Sequence, residues 1–426
     1  MSVPRTAEII AIGSELLLGG RQDTNSLMLT EALSSLGIEV CFKTVVGDRR
    51  ADIARAIRVA AGRASVVVMT GGLGPTLDDR TREAVADVTK QPLRRHPQAV
   101  RQLTAWLHSR GRQPNEKQQL QALIPRGATV LRNSVGSAPG FLVTWKHTMI
   151  VAMPGVPAEA KAMCEETVLP RLRRQRSGVP SIVRLTLLTY GLPESELEER
   201  IVDLVPTEPG VELGTLASPL GVTVSLTAVP PRGRAQVRSP VRVLERSMAA
   251  MRQRLGALVY GAGSDTMEGV VGQMLRAHRA TLATAESCTG GLIGHRLTQV
   301  PGSSAYYSGG AVCYSNEVKV TWLGVDRSVL SRHGAVSAEV AGAMADGIRT
   351  RAGSTVGLSV TGIAGPGGAT ASKPVGLVYV GLSMTGRPTI TKEFRFQGPR
   401  DAIKLRASQA ALNLVRLAFV PSTEKA

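Results

Sequence analysis

The chain has 426 residues and a formal net charge of +18, and 43% of its residues are hydrophobic while only 3% are aromatic. This length exceeds what one hydrophobic core usually organises, so we expect two or three domains with aliphatic cores. The four cysteines lack Cys-x-x-Cys spacing, which argues against a structural zinc site or a disulfide framework and favours a reducing compartment. No leader pattern opens the chain and no apolar run reaches the roughly 18 residues that span a bilayer, so we expect a cytoplasmic protein without membrane attachment.

The excess of positive charge has two interpretations. The arginines are spread along the chain, and no aromatic side chains are interleaved with them to stack on bases. This pattern favours a solvated basic surface, although weak, salt-sensitive binding to polyanions needs only clustered charge. We therefore expect no specific nucleic-acid partner.

Strand and helix signals alternate in the first segment. Hydrophobic periodicity predicts strands at 8–13, 39–46 and 65–69 and a helix at 51–61. Such alternation predicts a parallel sheet with crossover helices, and the ligands of these sheets bind at the carboxyl ends of the strands. Those ends carry Gly13-Ser14-Glu15 and the glycine-rich run 70–79.

A linker rich in Arg, Ser, Gly and Pro is predicted at 173–180, and a small α+β module follows it. Hydrophobic patterns predict strands at 182–189 and 221–229 and helices at 194–204 and 241–255. The module has no Gly-x-x-Gly loop that would clamp a nucleic-acid backbone. We therefore favour a spacer or dimerisation role over RNA binding.

The third segment again alternates helix and strand signals. A strand at 281–285 places Ser287 at a strand-to-helix turn. A serine at the start of a glycine-rich turn exposes its Oγ, and the amides around Cys288, Thr289 and Gly290 would then form an oxyanion hole. The alternative is that Ser287 only caps the helix that follows.

A serine nucleophile needs a base, and no Gly-x-Ser-x-Gly elbow with a histidine partner is visible, so a lysine is the natural candidate. Lys319 can act as the base if burial lowers its pKa from about 10.4 toward 7 to 8. Otherwise it is a surface lysine paired with Glu317. Tyr314 would orient the lysine or bridge to Ser287, unless it is a buried tyrosine bonded to a carbonyl. A thiol nucleophile at Cys288 is the less favoured alternative.

The stretches of the third segment that carry this chemistry are 285–291, 314–319, 333–337, 361–368 and 373–376. They closely resemble the C-terminal domain of the CinA family. The resemblance implies deamidation of nicotinamide mononucleotide to nicotinate mononucleotide and ammonia by a Ser/Lys mechanism without a cofactor. Carried over residue by residue, it makes Ser287 the nucleophile, Lys319 the base and Tyr314 a supporting hydroxyl.

The same resemblance implies substrate contacts. Thr361 and Gly362 would line the pocket, with Cys288, Thr289 and Gly290 at the turn, and Arg400 would bind the substrate phosphate. The chain departs from the family pattern just before Arg400, where an acidic residue is usual, and before Lys373, where Ser372 replaces a glutamate.

The first segment resembles the molybdopterin-binding-like domain that begins CinA proteins, over about residues 7–170. The matching stretches are 13–17, 23–25, 46–48, 70–81, 114–118, 138–141 and 154–157. The resemblance implies ADP-ribose pyrophosphatase activity with a divalent cation (Mg, Mn or Co) and K as cofactors. Molybdopterin binding itself is less favoured, because the third segment indicates pyridine-nucleotide chemistry.

Glycine-rich amides cradle phosphates, and carboxylates are hard oxygen ligands for a divalent ion near a pyrophosphate. The candidate nucleotide-binding residues are Gly13, Ser14, Glu15, Asn25, Gly71, Gly72, Gly74, Thr76, Asn115 and Lys117, and the candidate metal ligands are Asp23, Asp78 and Asp79. In the alternative interpretation Asp78 and Asp79 cap the next helix, where carboxylates favour the helix dipole. Asn115 and Lys117 would then belong to a solvated loop.

The sequence therefore predicts an α/β protein of three domains. They are a molybdopterin-binding-like α/β/α domain at 1–172, a KH-like α+β connecting domain at 180–260 and a CinA C-terminal α/β domain at 263–420. We expect a homodimeric, bifunctional enzyme of pyridine-nucleotide recycling that acts on nicotinamide mononucleotide and ADP-ribose. The alternative is a non-catalytic scaffold or DNA-associated protein in competence or damage response.

Overall fold

The computed structural model describes residues 6–175, 182–228 and 240–421, with the side chain of Pro240 excepted. These residues fall into two compact units. The first unit ends at Val183, and the second contains Arg184–Ala228 and the described chain from residue 240. The predicted linker at 173–180 begins within a helix that ends at Gln175. The rest of that linker lies outside the described residues.

The first unit contains a six-stranded sheet with helices on both faces. The strands of this sheet are β1 (Thr6–Ile12), β2 (Glu39–Val46), β3 (Val66–Thr70), β6 (Thr129–Leu131), β7 (Gly140–Trp145) and β8 (Thr148–Met153), and a separate pair is formed by β4 (Leu93–Arg95) and β5 (Leu123–Pro125). The helices of the unit are α1 (Ser14–Leu17), α2 (Thr24–Ser34), α3 (Arg50–Arg63), α4 (Thr81–Thr89), α5 (Pro97–His108), α6 (Glu116–Gln119), α7 (Pro157–Met163) and α8 (Leu169–Gln175).

The strand order of this sheet is β2-β1-β3-β8-β7-β6. Strands β2, β1, β3 and β8 run parallel, whereas β7 and β6 are antiparallel to their neighbours. Strand β2 lies on one side of β1, and β3, the next strand along the chain, lies on the other side. The carboxyl ends of β1 and β3 therefore form a topological switch point. The α/β fold predicted for this segment is confirmed.

Alternate residues of the strands face different helices, which makes the unit a three-layer core. Ile10 of β1 packs in one apolar cluster with Ile57 of α3 and Val85 of α4. Its neighbour Ile9 packs in another cluster with Leu33 of α2. A strand covered on both faces needs a continuous apolar sequence, and every residue of β3 is buried.

The second unit contains a four-stranded sheet of order β10-β11-β9-β12. Its elements are β9 (Val183–Thr189), α9 (Glu194–Ile201), β10 (Val211–Ser218), β11 (Gly221–Ala228), α10 (Pro240–Leu255) and β12 (Val259–Ala262). The predicted α+β module is confirmed, although β10 and β12 are additional strands. No residue of β10 is buried and β12 is short, so neither has a clear hydrophobic pattern.

The same unit contains a five-stranded sheet of order β14-β13-β15-β16-β17. Its strands are β13 (Leu282–Glu286), β14 (Tyr307–Val312), β15 (Val356–Gly362), β16 (Leu377–Met384) and β17 (Arg387–Arg395). Its helices are α11 (Met267–Ala277), α12 (Leu292–Thr298), α13 (Asn316–Leu323), α14 (Arg327–His333), α15 (Ala338–Ala352) and α16 (Arg400–Phe419).

In this sheet β14, β13 and β15 are parallel, and β16 and β17 are antiparallel. Helices α11, α12 and α16 share an apolar cluster on one face, and α13, α14 and α15 share another on the opposite face. The carboxyl ends of the parallel strands therefore lie together at one edge. No helix of the described residues has the length and apolarity needed to cross a bilayer.

Candidate active site

Ser287 directly follows β13, the middle strand of the parallel part of the C-terminal sheet. Its amide donates to the carbonyl of Val360 in β15 (2.9 Å), and the amide of Gly290 donates to its carbonyl (3.1 Å). Gly290 and Gly291 have φ angles of 62° and 92°, so the chain turns before α12 begins at Leu292. The alternative that Ser287 caps α12 is wrong, because Gly291 holds the N-cap position.

Lys319 of α13 lies against this serine. Its Nζ is 3.4 Å from the Oγ of Ser287 and donates to the carbonyl oxygens of Cys313 (2.8 Å) and Tyr314 (3.4 Å). Both side chains are withdrawn from water, with Lys319 1% and Ser287 9% exposed. The structure thus brings together the serine and the lysine that the sequence indicates.

The burial of Lys319 changes its acid–base chemistry. Removal from water lowers the pKa of the Lys319 ammonium group, because the charged form loses its hydration. Glu317, the expected partner in the alternative interpretation, instead pairs with Arg327 at 2.7 Å, and that alternative is wrong. A lysine with a lowered pKa can take the proton of a serine hydroxyl.

The thiol of Cys288 is a poor nucleophile in this structure. Burial raises the pKa of Cys288 to about 12, and only the thiolate form attacks readily. The side chain also packs in the apolar cluster with Ile293 of α12. The geometry therefore favours Ser287 over Cys288.

Glu286 fixes the turn that carries Ser287, and no sequence pattern indicates this role. Its carboxylate is 2% exposed and accepts hydrogen bonds from the amides of Ile293 (3.0 Å) and Gly294 (2.8 Å). These amides belong to the first turn of α12, whose N–H groups have no partner within the helix. The spacing from Glu286 to α12 does not match a capping box, so only the structure reveals the contact.

The turn limits which amides are free to stabilise an oxyanion. The amide of Gly290 is already used by the carbonyl of Ser287. In the described part of the chain, the amides of Cys288 and Thr289 donate to no backbone carbonyl. These two amides are therefore the candidate donors, and the expected contribution of the Gly290 amide is wrong.

Arg400 at the start of α16 lies at the same edge and contacts Tyr314. Its Nη1 donates to the carbonyl of Gly365 (2.6 Å), and its Nη2 donates to the Oη of Tyr314 (2.9 Å). The Tyr314 side chain is 61% exposed, and its contact with Lys319 is made by its backbone carbonyl. The expectation that the phenol orients the lysine or bridges to Ser287 is wrong, because the phenol holds the guanidinium instead.

Thr361 and Gly362 at the end of β15 position neighbouring loops. The Thr361 hydroxyl is buried and donates to the carbonyl of Ala335 (2.7 Å). A Cβ on Gly362 would lie 2.7 Å from the carbonyl oxygen of Leu377. The Thr361 hydroxyl therefore already has a hydrogen-bond partner within the protein, and the contact of these two residues with a substrate stays a prediction.

The predicted nucleotide-binding residues that directly follow β1 and β3 lie at the carboxyl edge of the sheet. A Cβ on Gly71 would lie 2.1 Å from the carbonyl oxygen of Ile12, and its φ is +108°, so only glycine lets the loops after β1 and β3 meet. Gly155, which follows β8, lies beside Gly71. The side chain of Asn25 donates to the carbonyl of Gly155 (2.8 Å). The structure thus brings these loops together.

The loop after β1 is held by the loop after β2. The amide of Ser14 donates to the carboxylate of Asp48 (2.8 Å), a contact that the sequence patterns do not indicate. The carboxylate of Glu15 folds back over Gly13. Ser14 and Glu15 are exposed, so both remain accessible to a ligand.

Arg82 fixes the glycine-rich loop after β3 and is absent from the predicted site. This buried side chain donates to the carbonyls of Leu73 and Gly74, both at 2.7 Å. A Cβ on Gly72 would lie 2.2 Å from the Oγ1 of Thr81, so the loop also packs tightly on the start of α4. The backbone of this loop is therefore ordered by the protein itself.

The three acidic candidates are each engaged locally. Asp23 caps α2 by accepting from the amide of Ser26 (3.0 Å), and Asp79 accepts from the amide of Thr76 (2.8 Å). A hydrogen bond from Thr76 lowers the pKa of Asp78. Helix α4 has no side-chain cap, so the capping alternative for Asp78 and Asp79 is wrong. Over residues 6–175, 182–228 and 240–421, no three His, Cys, Asp or Glu side chains form a potential metal site.

Asn115 and Lys117 belong to α6 and its cap. The side chain of Asn115 accepts from the amide of Gln118 (2.8 Å), and the side chain of Gln118 accepts from the amide of Asn115 (3.1 Å). Both Asn115 and Lys117 are exposed. No hydrogen bond joins either residue to the glycine loops in the described part of the chain, and their role in nucleotide binding stays a prediction.

Three protein-family models match consecutive parts of the chain. The model described as the CinA C-terminal domain matches residues 264–419. The probable molybdopterin binding domain matches residues 8–174, and the KH domain of damage-inducible protein CinA matches residues 184–261.

Relatives match this chain over nearly its whole length. A CinA-like protein of Thermosynechococcus vestitus is 42% identical over 418 residues, which cover 96% of this chain and 98% of the relative. A CinA-like protein of Myxococcus xanthus is 41% identical and covers 98% of this chain and 99% of the relative. The crystal structure of the protein CinA, of unknown function, from Thermoplasma acidophilum is 31% identical and covers 40% of this chain and 99% of that chain, with a TM-score of 0.37.

Proposed function

This chain belongs to the CinA family, and we propose that its C-terminal domain hydrolyses the amide of nicotinamide mononucleotide to give nicotinate mononucleotide and ammonia. The observation that supports this proposal is the buried contact of 3.4 Å between the Nζ of Lys319 and the Oγ of Ser287. A serine and a lysine with a lowered pKa are a known combination for acyl transfer.

In the first half-reaction, Lys319 takes the proton of Ser287 as Oγ attacks the carboxamide carbon. A neutral amine has two N–H groups and one lone pair, so the carbonyls of Cys313 and Tyr314 can accept both hydrogens while the lone pair faces Oγ. The protonated lysine then gives its proton to the amide nitrogen. Ammonia leaves, and an acyl ester of Ser287 remains.

In the second half-reaction, water replaces the serine. The oxygen of the water attacks the ester carbon while Lys319 takes a proton from the water. Lys319 then returns that proton to the departing Oγ of Ser287. The products are the carboxylic acid and the free serine. The negative charge on the carbonyl oxygen in both steps would be stabilised by the free amides of Cys288 and Thr289.

Arg400 would contribute to substrate binding at the mouth of the site. The Tyr314 phenol and the Gly365 carbonyl hold two of its nitrogens, which orients the guanidinium. A guanidinium has five N–H groups, so donors remain for a phosphate. Tyr314 would therefore act on Arg400 and not on the proton transfer.

Ammonia release from nicotinamide mononucleotide by the full chain tests this function. We expect release in the presence of a metal chelator, because the proposed proton transfers use only side chains of the protein. An absence of ammonia release with this substrate would contradict the proposal.

A second function is proposed for the N-terminal domain, namely hydrolysis of the pyrophosphate of ADP-ribose. The supporting observation is the meeting of the loops after β1, β3 and β8 at one sheet edge, around Gly71. Because the described carboxylates do not fit a preformed three-ligand metal site, we assign no reaction step to a metal. Hydrolysis of ADP-ribose by the full chain tests the activity. It is measured with and without Mg²⁺, Mn²⁺ or Co²⁺, and with and without K⁺.

A further inference from the structure

Helix α16 carries a second cation above the turn of Ser287. Lys404 lies one helical turn after Arg400, and residues four apart on a helix are neighbours on one face. The Nζ of Lys404 is 3.6 Å from the position that a Cβ on Gly290 would occupy. Its ammonium group therefore lies over the backbone of the turn that carries the proposed nucleophile.

Lys404 has no partner of its own in the described part of the chain. Among the described residues, no carboxylate lies within salt-bridge distance of its Nζ, and its ammonium group donates no hydrogen bond. The side chain is half-buried. A partly desolvated ammonium group without an anion gains more from an anionic ligand than a fully hydrated surface lysine does.

Arg400 and Lys404 differ in how firmly they are held. Hydrogen bonds to Gly365 and Tyr314 fix the guanidinium of Arg400. Lys404 keeps all three N–H donors, and its Nζ lies over the serine turn at Gly290. A phosphate monoester carries about 1.5 to 2 negative charges at pH 7, which suits two neighbouring cations better than one.

We propose that Lys404 joins Arg400 in binding the phosphate monoester of the substrate and makes the site select nucleotides over nucleosides. The proposal rests on the proposed function, since the phosphate is that of the mononucleotide amide. Arg400 provides a fixed, directional contact, whereas Lys404 provides an unpaired charge. Neither residue takes part in the proton transfers.

Equilibrium binding by full-length chains with Ser287→Ala tests the proposal, because these proteins do not consume the ligand. Calorimetry measures the affinity of two proteins, Ser287→Ala and the double variant with Lys404→Gln. Each is tested with nicotinamide mononucleotide and with its nucleoside, nicotinamide riboside. We expect Lys404→Gln to weaken binding of the mononucleotide about 10- to 100-fold, as loss of a charge-assisted hydrogen bond implies. Affinity for the nucleoside should change less than about twofold.

Two further variants are matched controls. Lys404→Arg keeps the charge and should retain most of the affinity for the mononucleotide. Lys392→Gln removes an exposed lysine of β17 and should leave binding unchanged. Thermal unfolding of each variant shows whether it is folded.

The possible outcomes separate this proposal from the function. An equal loss for nucleotide and nucleoside, no loss for either, or no nucleotide binding at all would overturn the role of Lys404. If the parental chain releases no ammonia but binds the mononucleotide in a Lys404-dependent way, the phosphate site stands and the deamidase function fails. If ammonia is released and Lys404→Gln binds like the parent, the function stands and this proposal fails.

Discussion

The two candidate sites lie at the carboxyl edges of parallel strands, but they are built differently. In the C-terminal domain the reactive groups are side chains withdrawn from water, Ser287 and Lys319, and they contact each other. In the N-terminal domain the loops meet through glycine backbone, while Asp78 is exposed and Asp79 accepts a hydrogen bond from Thr76 of its own turn. The first site contains its own proton-transfer groups. The second consists mainly of loop backbone, so the ADP-ribose hydrolysis proposed for it would need further catalytic groups that arrive with the substrate.

Removal of the nucleophile is expected to have the largest effect. Ser287→Ala should lower kcat for ammonia release by about 10³-fold or more, because no other hydroxyl is hydrogen-bonded to Lys319 in the described structure. The ADP-ribose activity should be unchanged. Ser331→Ala, an exposed serine of α14, is the control. Parental ammonia release by Ser287→Ala would remove the serine from the mechanism.

Replacement of the base by a permanent cation should be nearly as damaging. Lys319→Arg keeps the charge but cannot become neutral in a protein, so ammonia release should fall about 10²- to 10⁴-fold. Steady-state rates with saturating mononucleotide measure this loss. Turnover close to that of the parent would show that Lys319 acts only through its charge or its packing.

The pH dependence of ammonia release should follow from the lowered pKa of Lys319. The neutral amine is the active form, so kcat/KM should rise with pH and level off above the folded-state pKa, below the ordinary value of about 10.4. The unfolded chain binds the proton more tightly than the folded chain, so stability should also rise with pH between those two pKa values. The same pH profile is measured on the residual activity of Lys319→Arg. If the acid limb of kcat/KM is unchanged in this variant, another group causes it.

Much of the fold was predictable, because buried strands such as β3 have a continuous apolar sequence and separate the helices clearly. The proximity of Ser287 and Lys319 was indicated by the family resemblance, not by spacing. Glu286, Arg82 and Lys404 were not predicted, since their roles depend on contacts between elements far apart in sequence or on a turn of unpredicted length. The contact of the Tyr314 phenol with Arg400 differs from the sequence prediction, because sequence does not show which way a side chain points.

The contrast between the sites also predicts different responses to a chelator. Deamidation should be unaffected, whereas ADP-ribose hydrolysis should fall about 10²-fold or more if a divalent cation enters with the pyrophosphate. Both activities of one preparation are measured before and after chelation, with the cation restored as the control. Deamidation that disappears on chelation and returns with the metal would contradict the difference drawn between the domains.

Glu286 should have a smaller effect on the C-terminal site. Glu286→Gln replaces one carboxylate oxygen by an NH₂ group, which faces an amide donor of Ile293 or Gly294. We expect a loss of about 1 to 3 kcal/mol in the free energy of unfolding and roughly tenfold slower ammonia release. Denaturant unfolding and steady-state kinetics measure the two effects. Glu196→Gln, at an exposed position of α9, should change neither.

The central claim is that Ser287 forms an acyl ester while Lys319 carries the proton. Its most direct test is acid quenching of the full chain during turnover of nicotinamide mononucleotide, followed by mass spectrometry of the peptide that contains Ser287. We predict an added nicotinate-mononucleotide acyl group on Ser287, and no such adduct in Ser287→Ala. An adduct on Cys288 would contradict the claim. Ammonia release without any acylation of the chain would also contradict it, provided that the quench conditions preserve the ester.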